Sequence, residues 1–132
     1  MRALIAEDDF TSRLLMQKLL APYGECHVAI NGREALEAFK SARSKRRPYD
    51  LICLDIMMPE MDGQTVLREI RAIEDGAGIR LGRGVKVLMT TALKDGKNVM
   101  QAFRDLCDGY VVKPIEKAKL LKCLREFGLI EK

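Results

Sequence analysis

Short uninterrupted apolar runs alternate along the chain with longer stretches in which apolar residues recur every three or four positions. The runs fall at 2–6, 26–30, 51–54, 86–89 and 110–112. Continuous rather than alternating hydrophobicity predicts strands covered on both faces. Between the first two, Phe10, Leu14, Leu15, Leu19 and Tyr23 keep helical spacing up to Gly24, a residue suited to ending a helix. Asn31 with Glu34 three positions on predicts a capped second helix that turns Leu36 and Phe39 inward. A third helix follows Asp62-Gly63 through Val66, Leu67, Ile70 and Ile73. A fourth follows Asp95-Gly96 through Val99, Phe103 and Leu106, and the last uses Leu120, Leu121, Leu124 and Phe127 after Pro114.

Five strand-then-helix units predict an α/β fold with a five-stranded parallel sheet and five helices, because parallel neighbours need crossover connections. Right-handed crossovers distribute the helices over both faces, a doubly wound arrangement. Five strands suit the flavodoxin-like order 2-1-3-4-5, in which strands 1 and 3 meet at the switch point and ligands bind past the carboxyl ends. The stretch 74–84, with Gly76, Gly78, Gly82 and Gly84, follows a helix instead of a strand, so it is expected to be a flexible connection and not a phosphate-cradling loop.

Composition narrows the class without changing the fold. The 132 residues are expected to form one domain spanning 1–132, and 48% apolar with 32% charged residues excludes disorder. No uncharged stretch exceeds seven residues, far short of the roughly 20 a membrane-spanning helix needs. The apolar start runs into Glu7-Asp8-Asp9 before it could serve as a signal peptide, so a cytoplasmic location is expected. Cys26, Cys53, Cys107 and Cys123 include no C-x-x-C pair, and the single His27 stands beside Cys26, a pattern of structural thiols and not of zinc ligands. The net charge of +4 is concentrated at Lys40, Arg43, Lys45, Arg46 and Arg47, which reads as a solvated helix end and not as a nucleic-acid surface.

The candidate chemistry lies at the strand ends: Glu7-Asp8-Asp9 after strand 1, Asp55 after strand 3, Thr90-Thr91 after strand 4 and Lys113-Pro114 after strand 5. Such an order brings all four ends to one edge of the sheet. Asp8 or Asp9 alone could be a helix cap, but Asp55 closes a buried run and is followed by Ile56-Met57-Met58-Pro59, with no cation. Like charges about 4 Å apart repel by roughly 4 kcal/mol at an effective dielectric of 20, so the carboxylates need positive partners. Lys113 is one, and a hard divalent cation such as Mg²⁺, here expected on Asp9 and Asp55, is the other. A free oxygen of Asp55 could then attack a phosphoryl group whose charge is balanced by Mg²⁺, Lys113 and the Thr91 hydroxyl, leaving an aspartyl phosphate.

With these motifs the chain resembles a receiver domain of bacterial two-component response regulators, of the stand-alone CheY-like kind. The carrying segments are Glu7-Asp8-Asp9, Leu54-Asp55-Ile56-Met57-Met58-Pro59-Glu60-Met61-Asp62-Gly63, Thr91-Ala92 and Tyr110-Val111-Val112-Lys113-Pro114. The resemblance implies that Asp55 is the phosphoacceptor, that Asp9 binds Mg²⁺ directly and Asp8 through water, and that the Met57 carbonyl completes the ligands. It implies further that Lys113 pairs with the phosphoryl group and that the Lys113-Pro114 bond is cis. Thr91 matches the switch hydroxyl and Tyr110 the switch aromatic. The output surface would be the fourth helix, fifth strand and fifth helix, including Lys94, Lys97, Lys117 and Lys119. The donor would be a sensor histidine kinase or histidine phosphotransfer protein docking on the first helix.

Met57 and Leu93 stand two residues after the acceptor and the switch threonine, positions that in this family tune phosphoryl lifetime. Both are apolar here, which predicts a persistent phosphoryl group. A dehalogenase-type phosphatase would need an acid where Met57 stands, and a nucleotide-binding module would need a glycine- or hydroxyl-rich first loop. A receiver-like docking module that is never phosphorylated is the remaining alternative. Because the chain stops at Lys132 directly after the last helix, its effect is expected to come from binding an output protein and not from nucleic acid or a membrane.

Overall fold

Each apolar run becomes a strand: β1 (Arg2–Ala6), β2 (Glu25–Ala29), β3 (Leu51–Asp55), β4 (Lys86–Thr91) and β5 (Gly109–Val112). A computed structural model describes residues 1–92 and 106–131. All neighbouring strands are parallel and the order is β2-β1-β3-β4-β5, as the alternation predicts. In this register Ala6 lies opposite Leu54 and Asp55 opposite Thr90, so β1, β3 and β4 end level with one another.

The helices are α1 (Phe10–Leu20), α2 (Gly32–Ser44), α3 (Gly63–Gly76) and α4 (Lys117–Glu126). The helix predicted through Val99 and Phe103, with Leu93, Lys94 and Lys97, lies outside the described residues. Three starts are fixed by side chains that accept from amides left bare in the first turn. Asp9 accepts from Ser12, Asn31 from Glu34 and Asp62 from Thr65, each at 2.8 Å.

Two apolar layers sandwich the sheet. Leu36 and Phe39 of α2 and Val66, Leu67 and Ile70 of α3 pack on one face, against Leu4, Ile52, Leu54, Val87 and Met89. Met16 and Leu20 of α1 and Leu120, Leu121 and Leu124 of α4 pack on the other, against Ile5, Leu51, Cys53 and Leu88. Each such side chain contributes about 1.5–3 kcal/mol relative to exposure. Cys53 sits inside the second layer, where burial drives its thiol pKa far upward.

Three expectations are corrected. Covering on both faces holds for β1, β3 and β4, but β2 is an edge strand with Val28 41% exposed, and Tyr110 on edge strand β5 is 43% exposed. The apolar spacing of the first helix marks its core face only in part: Phe10, Leu14 and Leu15 are exposed, whereas Leu19 and Tyr23 pack against the core beside the buried Met16 and Leu20. That helix ends at Leu20, and a 3₁₀ turn (Ala21–Tyr23) carries the chain to Gly24. The stretch 74–84 is also not a free tether. Glu74 accepts the Val85 amide at 2.8 Å, and a side chain at Gly84 would strike that carboxylate at about 2 Å.

Candidate functional site

The level ends of β1, β3 and β4 place Glu7, Asp8, Asp55 and Thr91 at the carboxyl edge of the sheet, and Lys113 follows β5 on the same edge. The Glu7 amide continues the ladder by donating to the Ala29 carbonyl at 3.0 Å, which holds Glu7 at the strand end. Carboxylate oxygens of Glu7, Asp8 and Asp55 lie within 4.8 Å of one another. Glu7 and Asp55 are buried and Asp8 is exposed.

The ammonium of Lys113 bridges the two buried acids, 2.5 Å from Glu7 Oε1 and 3.2 Å from Asp55 Oδ2. The other Asp55 oxygen accepts the Met57 amide at 3.2 Å. Close approach of the α3 start to β3 needs a glycine, since a Cβ on Gly63 would stand 2.2 Å from the Asp55 carbonyl. Burial raises the Glu7 pKa, and the neighbouring Asp55 carboxylate adds to the effect while Lys113 opposes it. Burial works against the Lys113 charge, but Glu7 and Asp55 outweigh it and hold the ammonium above its ordinary value. Three carboxylates against one ammonium leave two negative charges, the number a divalent cation neutralises, and the donors are the hard oxygens that Mg²⁺ prefers.

Asp9 is not among the converging acids. Its carboxylate caps α1, and the Ser12 amide and hydroxyl hold its pKa below the ordinary value. The direct-ligand role expected of Asp9 thus has no geometric support, and Glu7 occupies a place that had no role assigned to it. A signal for this was present: a helix beginning at Phe10 makes Asp9 its cap and leaves the strand end to the two acids before it.

Thr91 is buried and its hydroxyl donates to the Ala92 carbonyl at 3.2 Å, while its own carbonyl accepts the Lys113 amide at 2.7 Å. Thr90, its neighbour, accepts the Ile56 amide through its carbonyl at 3.0 Å. The Lys113–Pro114 peptide is cis. Met57 stands 74% exposed beside Asp55, and Tyr110 faces outward.

Residues 3–125 match the family model described as the response regulator receiver domain. The chemotaxis protein CheY of Bacillus subtilis is 31% identical over 127 residues, covering 95% of both chains. Several other curated relatives are longer, and the chain spans only 10–54% of their length. Among solved structures, the receiver domain of Ssk1 in complex with the histidine phosphotransfer signaling protein Ypd1 of Saccharomyces cerevisiae superposes with a TM-score of 0.82 at 26% identity, covering 97% of this chain and 88% of that one. The CheX-CheY-BeF3-Mg+2 complex of Borrelia burgdorferi gives 0.74 at 28% identity, covering 96% and 87%.

Proposed function

From the premise that this chain belongs to the response regulator receiver family, we propose that it accepts a phosphoryl group on Asp55 from a phosphohistidine donor and then signals by binding another protein. As a CheY-like receiver it is not a conventional enzyme. The observation that carries this reading is the convergence of Asp55 with Glu7, Asp8 and Lys113 at the carboxyl edge of the sheet. An Asp55 oxygen attacks phosphorus as the donor's P–N bond breaks; the leaving nitrogen keeps the bonding pair, and a proton already carried on the ring's other nitrogen makes the departing group neutral imidazole.

Mg²⁺ held by Asp8, Asp55 and the Met57 carbonyl, with Glu7 beside them, would supply charge to offset the phosphoryl oxygens. Lys113, which already spans Glu7 and Asp55, moves onto those oxygens with little displacement. The Thr91 hydroxyl gives up the Ala92 carbonyl to donate to the phosphoryl group. Tyr110 then turns from its exposed position into the space Thr91 leaves, altering the surface of β5 and α4. Residues 1–132 act as one receiver unit in the cytoplasm, where such donors operate. No described helix is long and apolar enough to cross a membrane.

The test is intact-mass analysis after incubation with acetyl phosphate. Wild type is expected to gain one phosphoryl group only with Mg²⁺ present, and Asp55→Asn none. No gain in wild type, from acetyl phosphate or from a phosphohistidine donor, would overturn the reading in favour of an unphosphorylated docking module.

A further inference from the structure

A cavity of about 330 Å³ opens at the opposite, amino-terminal edge of the sheet, between the end of α2, the 74–84 stretch and the start of β4. The length of β3 separates it from Asp55 by about 16 Å, at roughly 3.3 Å per residue. Its wall carries three cations, Arg43, Arg83 and Lys86. Arg83 has no ion pair or side-chain hydrogen bond among the described residues, and Arg43 only lies over the Phe39 ring, 5.8 Å from its centre.

The two acids in the same wall are already engaged. Glu74 is held by Arg71 at 2.7 Å and by the Val85 amide at 2.8 Å, and Asp50 accepts the Arg2 amide at 2.8 Å. The guanidinium groups are therefore left to an outside anion. Lys45 and Arg46 continue the positive charge along the turn after α2, so the surface suits an extended polyanion better than a single small ion.

The floor decides between kinds of polyanion. Its apolar lining includes Pro48, Ile79 and Leu129, and the aromatics there, Phe39 and Tyr49, are 2% and 6% exposed. Rings so deeply buried cannot stack on a nucleobase, whereas an aliphatic side chain can enter between the cations. We propose that this cavity binds an acidic segment of a partner protein, with carboxylates on Arg43 and Arg83 and one aliphatic side chain on the floor.

Fluorescence anisotropy of the full chain with a labelled peptide of alternating glutamates and leucines tests this. Saturable binding that weakens with salt is expected, about tenfold weaker in Arg83→Glu and in Arg43→Gln. Arg33→Glu, a charge reversal at the other end of α2, should leave it unchanged, and thermal melts by circular dichroism check that the variants fold. Absence of saturable binding overturns the proposal, as does equal weakening by Arg33→Glu, which would mean net charge alone. Equal affinity for a leucine-free oligoglutamate would remove the role of the floor, and tighter binding of an oligothymidylate of matched charge would make the surface a nucleic-acid site; either result also overturns it.

Discussion

At the scale of single residues, three consecutive acids with the same charge carry different work because the chain changes from strand to helix between them. Glu7 still belongs to the ladder, Asp8 stands at the mouth, and Asp9 is spent on the helix. Isothermal titration with Mg²⁺ should therefore find affinity lowered about tenfold or more in Asp8→Asn and nearly unchanged in Asp9→Asn. Asp9 has its own signature in stability. Its folded pKa lies below the ordinary 3.8, so its charge stabilises the fold above that value, and the contribution is lost as pH falls through the lower folded value. Chemical denaturation should thus show Asp9→Ala less stable than wild type at neutral pH, with the gap narrowing in acid. Met57 offers no polar group to orient water although it stands open at the rim beside Asp55. Met57→Asn is expected to speed loss of the phosphoryl group several-fold, measured by the decay of the phosphorylated mass; unchanged or slower decay would count against that role.

At the scale of elements, the far edge is fastened by a charged network that reaches across three segments. Arg71 of α3 donates to Glu74, to the Val85 and Leu106 carbonyls at 2.8 and 2.7 Å, and to Asp108 at 3.1 Å. Asp108 in turn accepts the Val87 amide at 2.8 Å, so α3, β4 and the approach to β5 share one knot. With the Arg71 and Glu74 side chains only 10% and 6% exposed, removing the cation leaves a buried carboxylate uncompensated. Arg71→Met should cost about 3 kcal/mol in urea unfolding. Arg33→Met, whose partner Glu37 is on the surface, should cost well under about 1 kcal/mol.

At the scale of the whole molecule, the acid cluster lies where the strands end, and the Arg43, Arg83 and Lys86 cavity lies where they begin. Beside the acidic edge, α1 presents Phe10, Leu14 and Leu15 to solvent, an apolar patch on the helix expected to meet the phosphoryl donor. Phe10→Glu with Leu14→Glu should slow transfer from a phosphohistidine protein about tenfold or more while leaving labelling by acetyl phosphate intact, since the small donor needs only the pocket. Equal loss with both donors would place the damage in the site itself.

The periodic pattern alone determined the five strands, their parallel order and the meeting of Asp55 with Lys113 at one edge of the sheet, because each follows from local alternation and short-range connection rules. It also marked the cap at Asn31, which acts within one helical turn. Tertiary structure decided what depends on neighbours distant in the chain. Which acids join Asp55 turned on the residue at which β1 yields to α1, a difference of one position that rotates a side chain away from the cluster. The exposure of β2 and of the Phe10 face of α1 followed from an edge place in the sheet and from how the helix lies on it, neither of which apolar spacing encodes. The knot at Arg71 joins residues up to 37 positions apart, and only folding brings such charges close enough for one to offset the burial of another.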